Sequence, residues 1–218
     1  MTKVKICGIT NKEDALIAIN YGADAIGVVN VKESKRFVDL DKAREIFDAL
    51  PIFVSKVVVA MPESIEEALE ISETRANYIQ LHGDETVDFV RELKERTNLG
   101  IIKKIAVDEN SLENSERYSK IVDAILLDTR VKGLFGGTGK THDWDISRKI
   151  VESIRKPVIL AGGLNPGNLK EAIEKVRPYA VDTSSGVESK LRKKDPKMVR
   201  EFIRIAKSIT KYRNVGII

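Results

Sequence analysis

Eight short, β-branched apolar runs recur along the 218 residues, and helix-like stretches lie between them. The runs are VKICGI (4–9), DAIGVVN (24–30), FVSKVVVA (53–60), NYIQL (77–81), IIKKIA (101–106), DAILLD (123–128), PVILA (157–161) and YAVD (179–182). Between them stand KEDALIAINYG, LDKAREIFDAL, ESIEEALEISETR, ETVDFVRELKERT and NPGNLKEAIEKV, with a basic C-terminal stretch as the last. The first set has the length and composition of buried strands, and the second repeats its apolar residues at helical spacing. Asn11, Asp39, Ser64, Asp84 and Asn165 stand near the helix starts, where a side-chain acceptor satisfies free N–H groups. Alternating β and α units imply a parallel sheet with right-handed crossovers, and eight such units close into a barrel. A doubly wound open sheet is the alternative. It is favoured by a GxGxxG turn after the first strand, and CGITNKED has no such glycine series. No linker or low-complexity segment interrupts the pattern. One α/β domain over 1–218, a single (βα)8 TIM-type barrel with an eight-stranded parallel core, is therefore expected.

Composition narrows the class of function. No apolar run approaches the roughly 20 residues needed to cross a bilayer. No export signal opens the chain, and Cys7 is its one cysteine, so a reducing, cytoplasmic setting is expected rather than a disulfide framework. The net charge is +4, but Lys190 to Arg213 hold ten Lys/Arg against Asp195 and Glu201, which leaves the remainder at −4. Met198, Val199, Phe202, Ile203, Ala206 and Ile209 repeat at helical spacing within that basic stretch. A packed helix with a solvated basic face follows, and no nucleic-acid partner is expected, since no recognised motif or aromatic stacking platform accompanies the charge.

In a βα barrel the chemistry sits at the carboxyl ends of the strands and in the loops after them. Three such loops have the makings of a phosphate cradle: Gly136 to Gly139 after strand six, Gly162-Gly163 after strand seven, and Ser184-Ser185-Gly186 after strand eight. Small side chains let an anion reach backbone N–H groups, and hydroxyls add donors. The candidates for proton transfer are Cys7, Asp128 and His82. A thiol becomes basic and nucleophilic if a nearby cation lowers its pKa. Asp128 ends the apolar run AILL, a wall that favours the protonated acid. Arg36 offers a planar fork for a carboxylate. The chain has no HxH or CxxC spacing, P-loop or dinucleotide fingerprint, so neither a metal nor a cofactor is expected.

The strings KICGIT, QLHGDE, LLDT, GGTG, HDW, LAGGLNPGN and VDTSSGVE, in this order, resemble the phosphoribosylanthranilate isomerase family of tryptophan biosynthesis. The likeness runs from Lys5 to about Phe202. It implies an Amadori rearrangement, in which N-(5'-phosphoribosyl)anthranilate becomes 1-(o-carboxyphenylamino)-1-deoxyribulose 5-phosphate without cofactor or metal. It also implies Cys7 as general base, Asp128 as general acid, Arg36 on the anthranilate carboxylate, and Gly137, Gly163, Ser184, Ser185 and Gly186 around the phosphate. His82 joins the substrate-binding set as a strand-end candidate. A small phosphorylated substrate is the expected partner, with no membrane, and a monomer or homodimer as the assembly.

Three positions depart from the family pattern. Lys35 replaces a proline in the loop carrying Arg36, which is expected to free that backbone. His142 stands where phenylalanine usually precedes the Asp143-Trp144 pair, and Ala60-Met61-Pro62 replaces Val-Asn-Pro after strand three. The rival readings are another phosphate-binding barrel of histidine or tryptophan biosynthesis, or a non-catalytic ligand-binding barrel. The histidine-pathway isomerase uses a pair of aspartates, and strand one here ends in Cys7; indole-glycerol-phosphate synthase relies on lysine and glutamates, and strand two here offers Asn30.

Overall fold

The computed structural model describes residues 1–129 and 142–209. Eight strands form the barrel, in order: β1 (Lys3–Ile6), β2 (Ala25–Asn30), β3 (Ser55–Ala60), β4 (Tyr78–Leu81), β5 (Gly100–Val107), β6 (Ala124–Thr129), β7 (Val158–Leu160) and β8 (Ala180–Thr183). All pair in parallel with their sequence neighbours, and β1 closes on β8 with Lys5 opposite Asp182. The helices α1 (Lys12–Asn20), α2 (Leu40–Asp48), α3 (Ile65–Glu70), α4 (Val87–Arg96), α5 (Ser111–Ser119), α6 (Trp144–Ser153), α7 (Leu169–Val176) and α8 (Pro196–Ser208) follow strands one to eight in turn. The closed barrel, rather than the open sheet, is the outcome.

Several helix starts are set by the residues expected to set them. Asn11, Asp39 and Ser64 accept from Asp14 N at 2.8 Å, Lys42 N at 2.7 Å and Glu67 N at 3.1 Å. At α4 the cap is Thr86, not Asp84, and it accepts from Phe89 N at 3.2 Å. Asn165 caps a turn before α7, taking the Gly167 N–H at 2.9 Å. Serines hold inward positions in α5 and α6: Ser111, Ser115 and Ser147 are fully buried. Pro196 opens α8, whose Val199, Phe202, Ile203 and Ala206 pack inward. A two-stranded antiparallel ribbon, β9 (Glu188–Lys190) with β10 (Lys193–Lys194), precedes it. The basic stretch is therefore not uniformly solvated: Lys194 is among the most deeply buried side chains of the described residues.

The period of two along each strand sorts the core into two parts. One large cluster fills the layer between strands and helices. A smaller one, with Val57, Ile102, Ala124, Leu126, Ile159 and Ala180, plugs the barrel interior. The next inward positions towards the carboxyl ends change character. Leu126 is succeeded by Asp128, Ala180 by Asp182, and Tyr78 by Gln80 and His82. The interior is thus an apolar plug supporting a polar floor.

Candidate active site

That floor opens into a cleft of about 770 Å³, solvent at its mouth included, with Cys7 and Asp182 on one wall and Asp128 and His82 on the other. Cys7 directly follows β1, and its backbone N–H bonds Thr183 O of β8 at 2.8 Å. The thiol is buried, and that burial pushes its pKa up; the Lys5 ammonium beside it pulls the other way, and Asp182 adds to the rise. Lys5 bonds Asp182 Oδ1 at 3.0 Å, and both side chains are nearly removed from solvent. Burial alone would lower the Lys5 ammonium, but Asp182 and Cys7 outweigh it and push it up to about 12.

The same wall carries a second set of charges. Arg36 binds Glu188 through both arms of its fork, Nε to Oε1 at 2.8 Å and Nη2 to Oε2 at 2.5 Å. Lys194 completes the group, donating to Glu188 Oε1 at 3.0 Å and to the Ser184 carbonyl at 2.9 Å. Burial opposes ionisation of Glu188, yet the Arg36 and Lys194 cations hold its carboxyl below the usual range. The loop before Arg36 is tied down without its proline. Ser34 Oγ accepts from Arg36 N at 3.2 Å, and Arg192 reaches Lys35 O at 3.4 Å.

The facing wall is organised differently. Asp128 lies at the end of β6, with Oδ1 accepting the Thr129 N–H at 2.7 Å. Burial dominates and lifts its carboxyl from 3.8 to about 6, with Asp182 adding to the rise. His82 Nε2 lies 3.9 Å from Asp128 Oδ2, while its Nδ1 faces Gln80 Nε2 at 3.3 Å. Burial and the cations Lys104, Lys5 and Lys103 push His82 down to about 3, so the imidazole is neutral and no ion pair forms with Asp128. With Gln80 as donor to Nδ1, the ring proton sits on Nε2 and points at the acid. Gly162 has φ +81°, and a Cβ there would stand 2.7 Å from Thr129 N and 2.9 Å from Asp128 Oδ1. Only glycine lets strand seven's loop lie against this carboxyl.

The remaining cleft wall is made by Gly163, Ser184, Ser185 and Gly186. Ser184 Oγ is buried with no hydrogen-bond partner in the described structure. Thr183 Oγ1 ties the two loops together by donating to Leu164 O at 2.7 Å, and a Cβ on Gly186 would collide with that same carbonyl. Among the described residues no group of three or more His, Cys, Asp and Glu side chains is arranged to hold a metal ion.

A family model described as N-(5'-phosphoribosyl)anthranilate (PRA) isomerase matches residues 4–205. The chain belongs to the PRA isomerase family. Its curated relatives include N-(5'-phosphoribosyl)anthranilate isomerase of Methanocella arvoryzae, 49% identical over 207 residues, covering 93% of this chain and 97% of that one. The phosphoribosyl anthranilate isomerase structure from Thermotoga maritima superposes with a TM-score of 0.87 at 42% identity, over 96% of this chain and all of that one. A family structure in complex with reduced 1-(o-carboxyphenylamino)-1-deoxyribulose 5-phosphate gives 0.84 at 40% identity, with the same coverage. Monomers generated from the dimeric Thermotoga maritima protein give 0.83 at 39%, again over 96% of this chain and 100% of that one.

Of the residues singled out in the sequence, the structure gathers Cys7, Arg36, His82, Asp128, Gly163, Ser184, Ser185 and Gly186 around one cleft. Gly137 lies outside the described residues. Four contributors, Glu188, Lys194, Lys5 and Asp182, escaped sequence reading. Glu188 ends the VDTSSGVE string but looks there like an ordinary loop acid. Lys5 and Asp182 stand within KICGIT and VDTSSGVE, and the barrel's inward period places them in the floor. His142, the departure from the family's phenylalanine, joins Thr129 Oγ1 at 3.2 Å and Ser147 Oγ at 2.6 Å, and burial pushes it down to about 4. A neutral imidazole thus links the end of β6 to α6.

Proposed function

We propose that Cys7 and Asp128 perform, as base and acid, the Amadori rearrangement of N-(5'-phosphoribosyl)anthranilate that defines this family. The observation that carries the reading is the pair itself: a buried thiol beside an ammonium, facing a carboxyl whose pKa is raised to about 6. Protonated Asp128 gives its proton to the furanose ring oxygen as the C1–O bond breaks, and the anthranilate nitrogen lone pair forms the C1=N bond. The Cys7 thiolate then removes the proton from C2. The C–H electrons form C1=C2, those of C1=N return to nitrogen, and the enolamine tautomerises to the ketone. A neutral His82 adds no cation to the pull of Lys104 and Lys5 on Asp128, so burial keeps the carboxyl raised.

Arg36 keeps one terminal nitrogen, Nη1, outside its two bonds to Glu188, and this nitrogen is the proposed clamp for the anthranilate carboxylate. Gly163, Ser184, Ser185 and Gly186, with Gly137 beyond the described residues, form the proposed phosphate end; the unpartnered Ser184 hydroxyl supports it. Holding both ends of the substrate keeps C2 at the base. The catalytic thiol must stay reduced, which fits a cytoplasmic enzyme working as one domain. Ile52 and Phe53, 85% and 94% exposed on the turn before β3, are the proposed contact of a homodimer. Light scattering of a Phe53→Asp variant tests it: a monomer is expected where the wild type is a dimer.

The function is tested by converting N-(5'-phosphoribosyl)anthranilate to the ketose with purified, reduced protein in chelator and no added cofactor, beside Cys7→Ser. Rapid wild-type turnover with a crippled variant is expected. Wild-type turnover by the variant would remove Cys7 as base.

A further inference from the structure

Lys5 and Asp182 form an ion pair in the middle of the barrel floor, on the register line that joins β1 to β8. Burying two charges is costly, and a well-packed apolar pair does as well or better for stability alone. The geometry suggests a use for them. Gly27, on the neighbouring strand, faces both Lys5 and Cys7. A Cβ built there would lie 2.8 Å from Cys7 Sγ, 2.9 Å from Lys5 Cε and 3.2 Å from Lys5 Nζ. The sulfur and the ammonium therefore crowd the same point above one glycine.

We propose that Lys5 is a positioning residue that holds and stabilises the Cys7 thiolate, and that Asp182 sets how much of the Lys5 charge the sulfur receives. This rests on Cys7 being the base. The ammonium has three protons to share; one goes to Asp182 Oδ1 at 3.0 Å, and the sulfur takes part of the remainder. Asp182 also acts on the sulfur directly, as a negative charge that disfavours a second one. The other charged groups facing Cys7 are Arg36, from the loop after β2, and Lys194, from β10. Both are engaged by Glu188. On β2, Gly27 and Val29 bring no charge. Lys5, by contrast, is bound to a single carboxylate oxygen, Asp182 Oδ1, and stands with the sulfur above Gly27. Asp182 acts across the cleft as well, since it raises Asp128 while Lys5 lowers it. The pair therefore biases base and acid in the same direction at once.

Cys7 is the one cysteine of the chain, so its ionisation can be read without turnover from the pH dependence of alkylation by iodoacetamide. Lys5→Met is expected to move the thiol titration to higher pH by about one unit or more. Asp182→Asn is expected to move it to lower pH, and the double variant, which removes both charges together, to fall between the two. If Lys5→Met does not fold with Asp182 unpaired, Asp182→Asn and the double variant decide the question. A titration unmoved in the folded variants, with only the melting temperature lowered, would overturn the proposal and leave a structural ion pair. A shift in the same direction in both single variants would overturn it too. Turnover of Cys7→Ser is recorded alongside: wild-type turnover there would remove Cys7 as base and leave the titration to judge Lys5.

Discussion

The two walls of the cleft treat charge in opposite ways. On the β1/β8 side, Lys5, Asp182, Arg36, Glu188 and Lys194 form interlocked ion pairs around the thiol. On the β4/β6 side, the carboxyl of Asp128 meets a backbone N–H and an imidazole held neutral. The difference follows from what each group must do. A base that works as an anion needs cations close by, and an acid that works protonated needs an environment that does not pay it to ionise. Burial then raises both groups, so the competent form, thiolate with protonated carboxyl, is the minor protonation state. Its fraction is constant between the two pKa values and falls on either side of them. One small cleft thus holds acid and base ready together over a broad range of pH.

Removing either group breaks the contrast most severely. Cys7→Ala is expected to lower kcat about 10³-fold or more with little change in melting temperature, as general base catalysis is worth 10² to 10⁴. Steady-state kinetics at saturating substrate, with a thermal melt, reads both. Asp128→Asn is expected to lower kcat about 10²- to 10³-fold while stabilising the fold. The carboxyl titrates near 6 when folded and near 3.8 when unfolded, so folding carries a penalty above pH 6 that vanishes below about pH 4. The variant should therefore melt higher than the wild type at pH 8, by up to about 3 kcal/mol of stability, and equally at pH 4. An advantage that grows as pH falls would mean the carboxyl is not raised.

Changes that leave acid and base in place should act on binding. Arg36→Ala removes a charged clamp and is expected to raise KM roughly 10- to 100-fold, with a smaller loss in kcat. An unchanged KM would mean another group holds the substrate carboxylate. Ser184→Ala, which deletes one hydroxyl from the proposed phosphate end, is expected to raise KM about fivefold. Inorganic phosphate as a competitive inhibitor should weaken in parallel; if it binds Ser184→Ala as it binds the wild type, the hydroxyl does not face the anion.

The barrel was legible because its signal is repetition: eight β-branched runs cannot all pair in parallel without crossovers, and the crossovers are visible as helical spacing. What escaped has local causes. Helices α5 and α6 bury serines where a pattern looks for leucine, and the β9/β10 ribbon is built from polar residues. At the site, Cys7, Asp128 and Ser184 were visible because they stand at or directly after strand ends. Glu188 and Lys194 were not, since a glutamate in a loop and a lysine in a basic stretch look solvated until the fold folds them under Arg36. The thiol was expected to be basic if a cation stood near. The cation is there, but burial outweighs it, and burial depth cannot be read from the residue type.

The most direct measurement is the pH profile of kcat/KM for the wild type beside Asp128→Asn. The wild type should rise to a break near pH 6, run level, and fall as the thiol titrates on the alkaline side. In Asp128→Asn the break near 6 should vanish and the residual rate should climb until the thiol is ionised. The substrate phosphate also titrates near 6, which is why the variant is needed. A break near 6 that persists unchanged in Asp128→Asn, or a wild-type rate with no alkaline fall, would contradict the assignment of acid and base to these two residues.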